Sequence, residues 1–378
     1  MYEFFRTGTL LLTFALIGFV ASRGHAQESD VQESRWRPLG TLFSQEELES
    51  DFEFRRSVPY GDRSLKIRLP CRKKWTWVKV QLPTEVDRRR LVPLARVIDP
   101  EAPEVVLEMK VTELEREVRL EDWVDAFLDS QKMLAFEGGV EIFEGRRIVD
   151  AVVRYRLKEK KRIGRVSFFK DGHRIYLVVG SAPEELYEKY AKEFALAALQ
   201  GAPEVLTGKL YAEEMKTLKV AGRPAFSLKY PASWQVESMP DVPMGVDAND
   251  LFRGDYEKPE GLIRVRIYSR RKLPEMDLEK GIWSLFTEVE SAGFDLEGIR
   301  RIESMTAESE FFSEGGEMQI YRGDLDGDPV EFHVLVLQSS NSVFGAFLVT
   351  PAREMNRSAW MINRRAWELV GMTLREAR

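Results

Sequence analysis

Two stretches of the chain follow the same order of local patterns, and this repetition constrains the fold more than any other feature. Each begins with an apolar alternation that ends at a proline and is followed by a tryptophan: Leu65, Ile67, Leu69, Pro70 and Trp75 in the first copy, and Phe226, Leu228, Tyr230, Pro231 and Trp234 in the second. Proline cannot donate to a central β-ladder, so we expect each proline to close its strand.

Each copy then changes to helical spacing. The apolar positions are Leu120, Trp123, Val124, Phe127 and Leu128 in the first copy, and Leu278, Ile282, Leu285, Phe286 and Val289 in the second. Such spacing predicts an amphipathic helix. The first helix starts 50 residues after Pro70 and the second 47 residues after Pro231. This agreement indicates that the chain contains the same domain twice.

An Asp-Gly turn and a second helix complete each copy. Asp171-Gly172 and Asp326-Gly327 lie between alternating runs and can supply the positive φ angles of a tight hairpin. Ser181 to Glu184 have the pattern of a capping box, and Thr350 with Pro351 has that of an N-cap and a first helical residue. The expected buried faces are Tyr187, Tyr190, Phe194 and Ala198, and Ile362, Ala366, Leu369 and Val370.

The order of these patterns predicts an α+β fold. We expect two sandwiches, each a mainly antiparallel sheet flanked by a mid-domain helix and a C-terminal helix. Five tryptophans recur near strand ends and mid-domain helices and are expected to anchor the cores: Trp75, Trp77, Trp123, Trp234 and Trp283.

The segment Tyr230-Pro231-Ala232-Ser233-Trp234, the mid-domain helix and the strand running into Ser181-Ala182-Pro183-Glu184-Glu185 resemble the PsbP and Mog-type superfamily of α/β/α sandwich domains. The resemblance covers nearly the whole chain after its N-terminal segment, as two copies. The first copy departs from the pattern, because Trp75 follows Pro70 by five residues and Leu69 replaces the tyrosine. The resemblance implies a non-catalytic assembly factor, chaperone or partner-binding module.

The N-terminus has the pattern of a targeting segment. Arg6 precedes an apolar run from Thr9 to Ala21, and Gly24 and Ala26 suit a cleavage site before Gln27. The run is shorter than the ~20 residues of a spanning helix. We therefore expect an exported protein, periplasmic or secreted, with no membrane span in the mature chain; an uncleaved anchor is the alternative. The predicted boundaries are 1–26 for the signal peptide, 27–52 for an acidic segment, 53–201 for domain 1, 202–222 for a connector with a helical stretch at Tyr211–Leu218, and 223–378 for domain 2.

Motifs for catalysis and metal binding are sparse. Cys71 is the one cysteine and there are three histidines, which excludes a cysteine-cluster metal site and a disulfide scaffold. The run Asp324 to Asp328 begins like a calcium loop, but Pro329 and Leu335 occupy the places that need glycine and glutamate, so a solvated turn is predicted. The sequence contains no phosphate loop, HExxH motif or nucleophile elbow. We expect no cofactor, no metal and no catalytic residue.

Two other function classes stay open. One is an envelope hydrolase using carboxylates such as Glu331 together with His333; converging carboxylates in a pocket would favour it. His173 and His333 are otherwise interpreted as surface or packed residues. The other class is a carrier of an apolar ligand, which requires a deep apolar cavity between sheet and helix.

The charge distribution suggests the kind of partner. Residues 53–201 hold 30 Lys plus Arg against 25 Asp plus Glu, a net of +5, and residues 223–378 hold 19 against 26, a net of -7. The overall acidity argues against nucleic acid. Of the basic clusters, we single out Arg88, Arg89, Arg90, Lys160, Lys161 and Arg162 as candidate contacts for an envelope protein or an acidic polymer; a solvated face is the alternative. The oligomeric state is left open, and the opposite net charges predict attraction between the halves.

Overall fold

The computed structural model describes residues 43–80, 91–143, 145–220, 225–239, 244–255, 259–291, 296–307 and 314–376. The predicted signal peptide, residues 27–42 of the acidic segment and the cluster Arg88 to Arg90 lie outside the described residues. No helix in the described part of the chain has the length and hydropathy that crossing a membrane requires.

The N-terminal half runs from α1 to β10. Its elements are α1 (Gln45–Asp51), β1 (Phe52–Ser57), β2 (Ile67–Arg72), β3 (Thr76–Val78), β4 (Val92–Asp99), β5 (Ala102–Glu113), α2 (Leu120–Ser130), β6 (Leu134–Phe143), β7 (Arg146–Leu157), β8 (Lys160–Asp171), β9 (Arg174–Pro183), α3 (Tyr187–Gln200) and β10 (Ala202–Pro203).

The C-terminal half runs from β11 to β20. Its elements are β11 (Met215–Val220), β12 (Phe226–Pro231), β13 (Gln235–Ser238), β14 (Val246–Gly254), β15 (Pro259–Ser269), α4 (Leu278–Ser291), β16 (Leu296–Ala307), β17 (Gly316–Leu325), β18 (Asp328–Gln338), β19 (Ser342–Pro351), α5 (Arg357–Thr373) and β20 (Arg375–Glu376).

The two halves share one strand order. The large sheets are β3-β4-β5-β9-β8-β7-β6 and β13-β14-β15-β19-β18-β17-β16, and the small sheets are β1-β2-β10 and β11-β12-β20. All these strands pair antiparallel. The predicted α+β fold with two mainly antiparallel sheets is therefore confirmed.

Each large sheet is covered by a helix on both faces. Alternate residues of β9 divide between two cores: Tyr176 and Val178 belong to the cluster that contains Phe194 of α3, whereas Leu177 and Val179 belong to the cluster that contains Val124 of α2. Successive side chains of a strand point to opposite faces, so this division identifies the α2 face and the α3 face of the sheet. In the C-terminal half, α5 covers one face and α4 the other.

The tight hairpins lie where the Asp-Gly pairs predict them. Asp171 is the last paired residue of β8 and Gly172 has a φ of 57°. Asp326 and Gly327 connect β17 to β18 with φ values of 52° and 83°. These are left-handed conformations that a two-residue turn requires.

Pro183 and Pro351 end strands β9 and β19. A 3-10 turn at Glu184–Leu186 follows Pro183 directly and continues into α3, so helical structure begins there near the predicted place. In the C-terminal half the helix begins later than the sequence predicts, at Arg357. Each proline lies where its strand is paired on one side only, so its missing N–H leaves no gap in the ladder. The N-cap of α5 is Asn356, whose side chain accepts a hydrogen bond from a backbone N–H of the first turn.

Two further local predictions are wrong. Pro70 lies within β2 instead of closing it, because β10 pairs with only two residues of β2 and leaves the rest of that side open. The predicted helical stretch Tyr211–Leu218 is absent; Met215–Val220 forms β11, which pairs with β12 along its whole length. Tertiary pairing therefore overrides the local helical pattern there.

The tryptophans predicted to anchor the cores differ in their burial. Trp75 and Trp234 are buried, whereas 53% of Trp283 is exposed because the buried face of α4 contains Ile282 and Phe286 beside it. Ile362, predicted to face the sheet, instead packs with a cluster that contains Val118 of the N-terminal half.

Cys71 lies in β2 and is buried in the core that α3 covers. Burial raises the pKa of its thiol to about 12. The thiol is therefore protonated and shielded in the native fold.

Candidate functional site

The Glu331 carboxylate lies in a buried cluster beneath α5. His333, two residues along β18 and on the same face, places its Nε2 3.3 Å from Glu331 Oε2. Trp360 of α5 donates its indole N–H to the same oxygen at 2.6 Å. Arg322 of β17 donates to Glu331 Oε1 at 2.8 Å. These contacts bring together the two residues of the hydrolase alternative with two residues that the sequence analysis did not single out.

The electrostatics of this cluster do not suit acid–base catalysis. Burial by itself raises the pKa of Glu331, but hydrogen bonds from His333, Trp360 and Arg322 outweigh it and lower that pKa to about 2. The carboxylate therefore stays ionised at neutral pH and is occupied by donors. His333 is fully buried between the rings of Trp360 and Trp367, so no substrate can reach it. The geometry favours a structural role.

Helices α2 and α5 join the two halves through ion pairs and a small apolar cluster. The apolar part contains Val118, Trp360 and Met361. Among the described residues, five arginine–carboxylate pairs cross the junction: Arg353–Asp125, Arg357–Asp129, Arg364–Asp122, Arg365–Glu117 and Arg119–Glu368. In four of them the N-terminal half supplies the acid, although that half carries the positive net charge.

Glu117 is the buried centre of the junction. Its Oε1 accepts from Lys170 of β8 at 2.6 Å and from Arg365 of α5 at 3.2 Å. Its Oε2 accepts from the backbone N–H of Ala212 at 2.7 Å. One carboxylate thus ties together the N-terminal sheet, the C-terminal helix and the segment between the halves.

Strand β6 forms an open edge of the N-terminal sheet. Within the described chain it pairs with β7 alone. Four large apolar side chains on it are exposed: Leu134 at 65%, Phe136 at 52%, Val140 at 39% and Ile142 at 69%. An edge strand with exposed apolar side chains is a template for pairing with another chain.

Strand β16, at the same position in the C-terminal sheet, is protected. Its large exposed apolar residue is Ile302, at 48%, and its neighbours Arg300, Arg301 and Glu303 are charged and exposed. Its pairing with β17 is interrupted by two register shifts, against one in β6. Charges and bulges are the usual protection of a sheet edge. The opposite edges, β3 and β13, are three and four residues long.

The two faces of β6 differ in chemistry. Val140 lies opposite Val149 on the α2 face. Glu137 and Glu141 lie opposite Val152 and Ile148, which belong to the core on the α3 face. Thus Val140 and Ile142 lie on one face and the two carboxylates on the other, whereas Leu134, opposite Arg154, lies on the carboxylate face.

A cavity of about 210 Å³ opens on the α3 face beside β6. Its lining residues are Glu137, Gly138, Gly139, Glu141, Asp150, Val152 and Arg165. Arg165 pairs with both oxygens of Asp150, at 2.5 and 3.1 Å. Burial raises the pKa of Asp150, and Arg165 opposes that effect. Charged side chains make up most of the lining, so this cavity does not suit the apolar ligand of a carrier. Its carboxylates converge as the hydrolase alternative requires, but both oxygens of Asp150 are occupied by Arg165, and neither Glu331 nor His333 lines the cavity.

The basic residues predicted to contact a partner differ in their exposure. Lys160 and Lys161 are exposed at the start of β8, and Lys160 Nζ lies 2.7 Å from Glu104 Oε1. Arg162 is buried and donates to the Glu104 carbonyl at 2.7 Å and to Ser181 Oγ at 3.0 Å. Arg88, Arg89 and Arg90 lie outside the described residues.

The comparisons give no family for the chain: no protein-family model matches it, and no curated protein matches it in sequence. Partial structural neighbours include cyanobacterial PsbP (CyanoP) from Synechocystis sp. PCC 6803, with 10% identity, a TM-score of 0.31 and coverage of 41% of this chain and 93% of that chain. A second neighbour is LpqN, which is involved in cell envelope biogenesis of Mycobacterium tuberculosis. It has 13% identity, a TM-score of 0.29 and coverage of 42% of this chain and 94% of that chain. A third is the type VI secretion immunity protein TplEi of Pseudomonas aeruginosa, with 12% identity, a TM-score of 0.23 and coverage of 77% of this chain and 98% of that chain.

Proposed function

We propose that this protein is a non-catalytic binding module that holds a protein partner by adding an extended segment of that partner to β6. The observation that carries the proposal is the contrast between the two equivalent edges. Both halves have the same strand order, yet β16 is protected by charges and bulges whereas β6 exposes four apolar side chains.

Strand addition suits the chemistry of this edge. The backbone of an edge strand supplies hydrogen bonds to an incoming segment, and its alternating side chains supply specificity. The length of β6, ten residues, offers a long pairing surface. A protein that retains such an edge is exposed to unwanted association, so a partner that covers it explains its retention.

The wider organisation is part of the same proposal. We treat the halves as tandem PsbP-like domains, 53–201 and 223–378, joined by 202–222, and the shared strand order supports this. The pattern of residues 1–27 supports export to the periplasm or beyond. An N-terminus at Gln27 in the native protein is expected, and one at Met1 would contradict cleavage. The exposed Lys160 and Lys161, with Arg88 to Arg90, remain proposed contacts for an acidic partner; the buried Arg162 supports their strand from within.

The edge is tested by giving β6 the protection that β16 has. The double variant Val140→Lys/Ile142→Lys places charge on the exposed apolar positions, and Ile302→Lys/Thr306→Lys adds the same charge to β16 as the matched control. We expect the native protein and the control to capture the same partner from a native envelope extract, and the β6 variant to lose it at an unchanged melting temperature.

Hydrogen exchange on the captured complex identifies the contact. We expect the amides of Leu134–Phe143 to be protected in the complex and those of β16 to be unaffected. If the β6 variant captures the partner as well as the native protein does, or if the protection lies elsewhere, docking at β6 is wrong.

A further inference from the structure

The α3 face of β6 carries negative charge that the fold compensates only in part, because Arg165 attracts Glu141 but is itself paired with Asp150. Glu137 and Glu141 lie four residues apart on that face, and no ion pair joins either carboxylate to another of the described residues. The nearby Arg165 is already paired with Asp150. With three carboxylates and one guanidinium, the surroundings of the cavity carry a net charge of about -2 at neutral pH.

Gly139 opens the cavity toward the free edge. It lies between the two glutamates and opposite Asp150. A Cβ built at Gly139 meets nothing within 4 Å, whereas one at Gly138 would lie 2.7 Å from the Asp150 carbonyl oxygen. The space over Gly139 is therefore empty, and a side chain from a neighbouring strand can enter it.

The other face of the strand requires a different partner surface. Val140 and Ile142 are exposed there at successive positions of that face. An added strand would cover these side chains with alternate residues of its own. Apolar residues on that face of the partner would remove this area from water.

We propose that the docking segment is an extended strand with Lys or Arg residues opposite Glu137 and Glu141 and apolar residues on the opposite face. This inference rests on the proposed docking at β6. Cross-strand pairs of opposite charge are favourable, and like charges directly opposite are unfavourable. A second copy of this chain, paired through a two-fold axis perpendicular to the sheet, would add the same two carboxylates to the same face. The charge pattern therefore selects a different, basic partner.

Three synthetic peptides of about nine residues test the charge requirement. All carry valine and threonine on one face, and on the other face two Lys, two Thr or two Glu residues four positions apart. We expect the Lys peptide to protect the β6 amides from hydrogen exchange and to bind about tenfold more tightly than the Glu peptide at low salt, because two favourable pairs replace two repulsive ones. Added salt should reduce the difference.

Matched variants of the protein locate the effect. In Glu137→Lys/Glu141→Lys the preference should reverse toward the Glu peptide. The control Glu297→Lys/Glu303→Lys, at exposed positions of β16, should keep the preference for Lys. Gly139→Phe fills the cavity mouth, so binding of the Lys peptide should weaken while the melting temperature stays unchanged.

The outcomes separate this inference from the proposed function. Equal binding of the Lys and Thr peptides, or no reversal in the double lysine variant, overturns the charge requirement and leaves docking at β6 in place. If no peptide protects β6 but the captured native partner does, the partner chemistry is wrong and the docking site stands. If neither protects β6, both proposals fail.

Discussion

At Glu331, burial and hydrogen bonding act on one side chain in opposite directions. Removal from water favours the neutral acid, and the donors His333, Trp360 and Arg322 favour the carboxylate. The donors prevail, so the pKa falls from its usual 4.5 to about 2. The folded state thus binds a proton at this site less readily than the unfolded chain does, and the ionised group stabilises the fold.

The pH dependence of unfolding tests this balance. The contribution of Glu331 should be complete above about pH 4.5 and should be lost as the pH falls toward 2, because the folded pKa is the lower one. Glu331→Gln keeps the shape but not the charge, and we expect it to lower the free energy of unfolding at pH 7 by about 1–3 kcal/mol. Urea titrations at several pH values should show that the difference in free energy of unfolding between the variant and the native protein becomes smaller as the pH falls toward 2.

Glu354→Gln is the matched control, since Glu354 also contacts Arg322 but is exposed. It should change stability by less than about 1 kcal/mol. A Glu331→Gln protein that is as stable as the control at pH 7 would show that the buried cluster contributes no stability.

For Glu331 and His333, the sequence predicted correctly that the two side chains lie close together, but it did not predict their structural role. The period of two in β18 correctly places Glu331 and His333 on one face, and the presence of both suggested acid–base chemistry. Trp360 and Arg322 come from other elements, at separations of 29 and 9 residues from Glu331. No local pattern shows that they saturate the carboxylate.

At the scale of elements, α5 shows how a helical period predicts packing. Leu369 and Val370 are buried, and Val370 packs with Ala366 and Trp367 against the C-terminal sheet. Leu369→Ala should leave a cavity and lower the free energy of unfolding by about 2 to 5 kcal/mol. The thermal midpoint should then fall by several degrees.

Met372→Ala on the same helix is the control for this change. Met372 is exposed, so its truncation should move the thermal midpoint little. Equal midpoints for the two variants would mean that α5 does not pack through Leu369.

The element boundaries show where sequence patterns lose their information. The mid-domain helices were predicted because their apolar period is continuous, and the Asp-Gly hairpins because their turn chemistry is specific. The prolines at 183 and 351 suggested helix starts, but each ends a strand on its singly paired side. β6 was not predicted, because Gly138, Gly139, Glu137 and Glu141 interrupt its apolar alternation. The two glutamates form the acidic face on which the docking segment is proposed to place its basic side chains.

At the scale of the whole molecule, local charges decide how the halves meet. The net charges predicted attraction between a basic and an acidic half, yet in four ion pairs of the junction the N-terminal half supplies the acid and the C-terminal half the arginine. Net charge sums over the whole surface, whereas charges interact strongly only within about 8 Å at physiological salt. The sequence could not show which small part of each surface would be at the junction.

Glu117 is the most informative position in this junction. Glu117→Gln would leave Lys170 and Arg365 without their carboxylate, and loss of one partner of a buried pair costs about 3–5 kcal/mol. We expect the variant to unfold at lower urea concentration and to have a larger radius of gyration in small-angle scattering. Replacing Lys170 by Met in the same variant should recover part of the stability, because it removes the unpaired ammonium.

Asp129→Asn provides the exposed comparison within the same junction. Its partner is Arg357 and its side chain is largely exposed, so its loss should cost at most about 1 kcal/mol. If Glu117→Gln behaves like Asp129→Asn in both measurements, the buried carboxylate does not hold the halves together.

The single thiol of Cys71 makes local opening of the N-terminal half measurable by chemical labelling. With a pKa near 12 and no access to water, it can react with an alkylating reagent only during an opening of β2 and the core beneath α3. The rate of labelling in native conditions thus counts such openings in the N-terminal half without any added probe. No second cysteine competes for the reagent. A ligand that makes openings of the N-terminal half less frequent would therefore slow the labelling of Cys71.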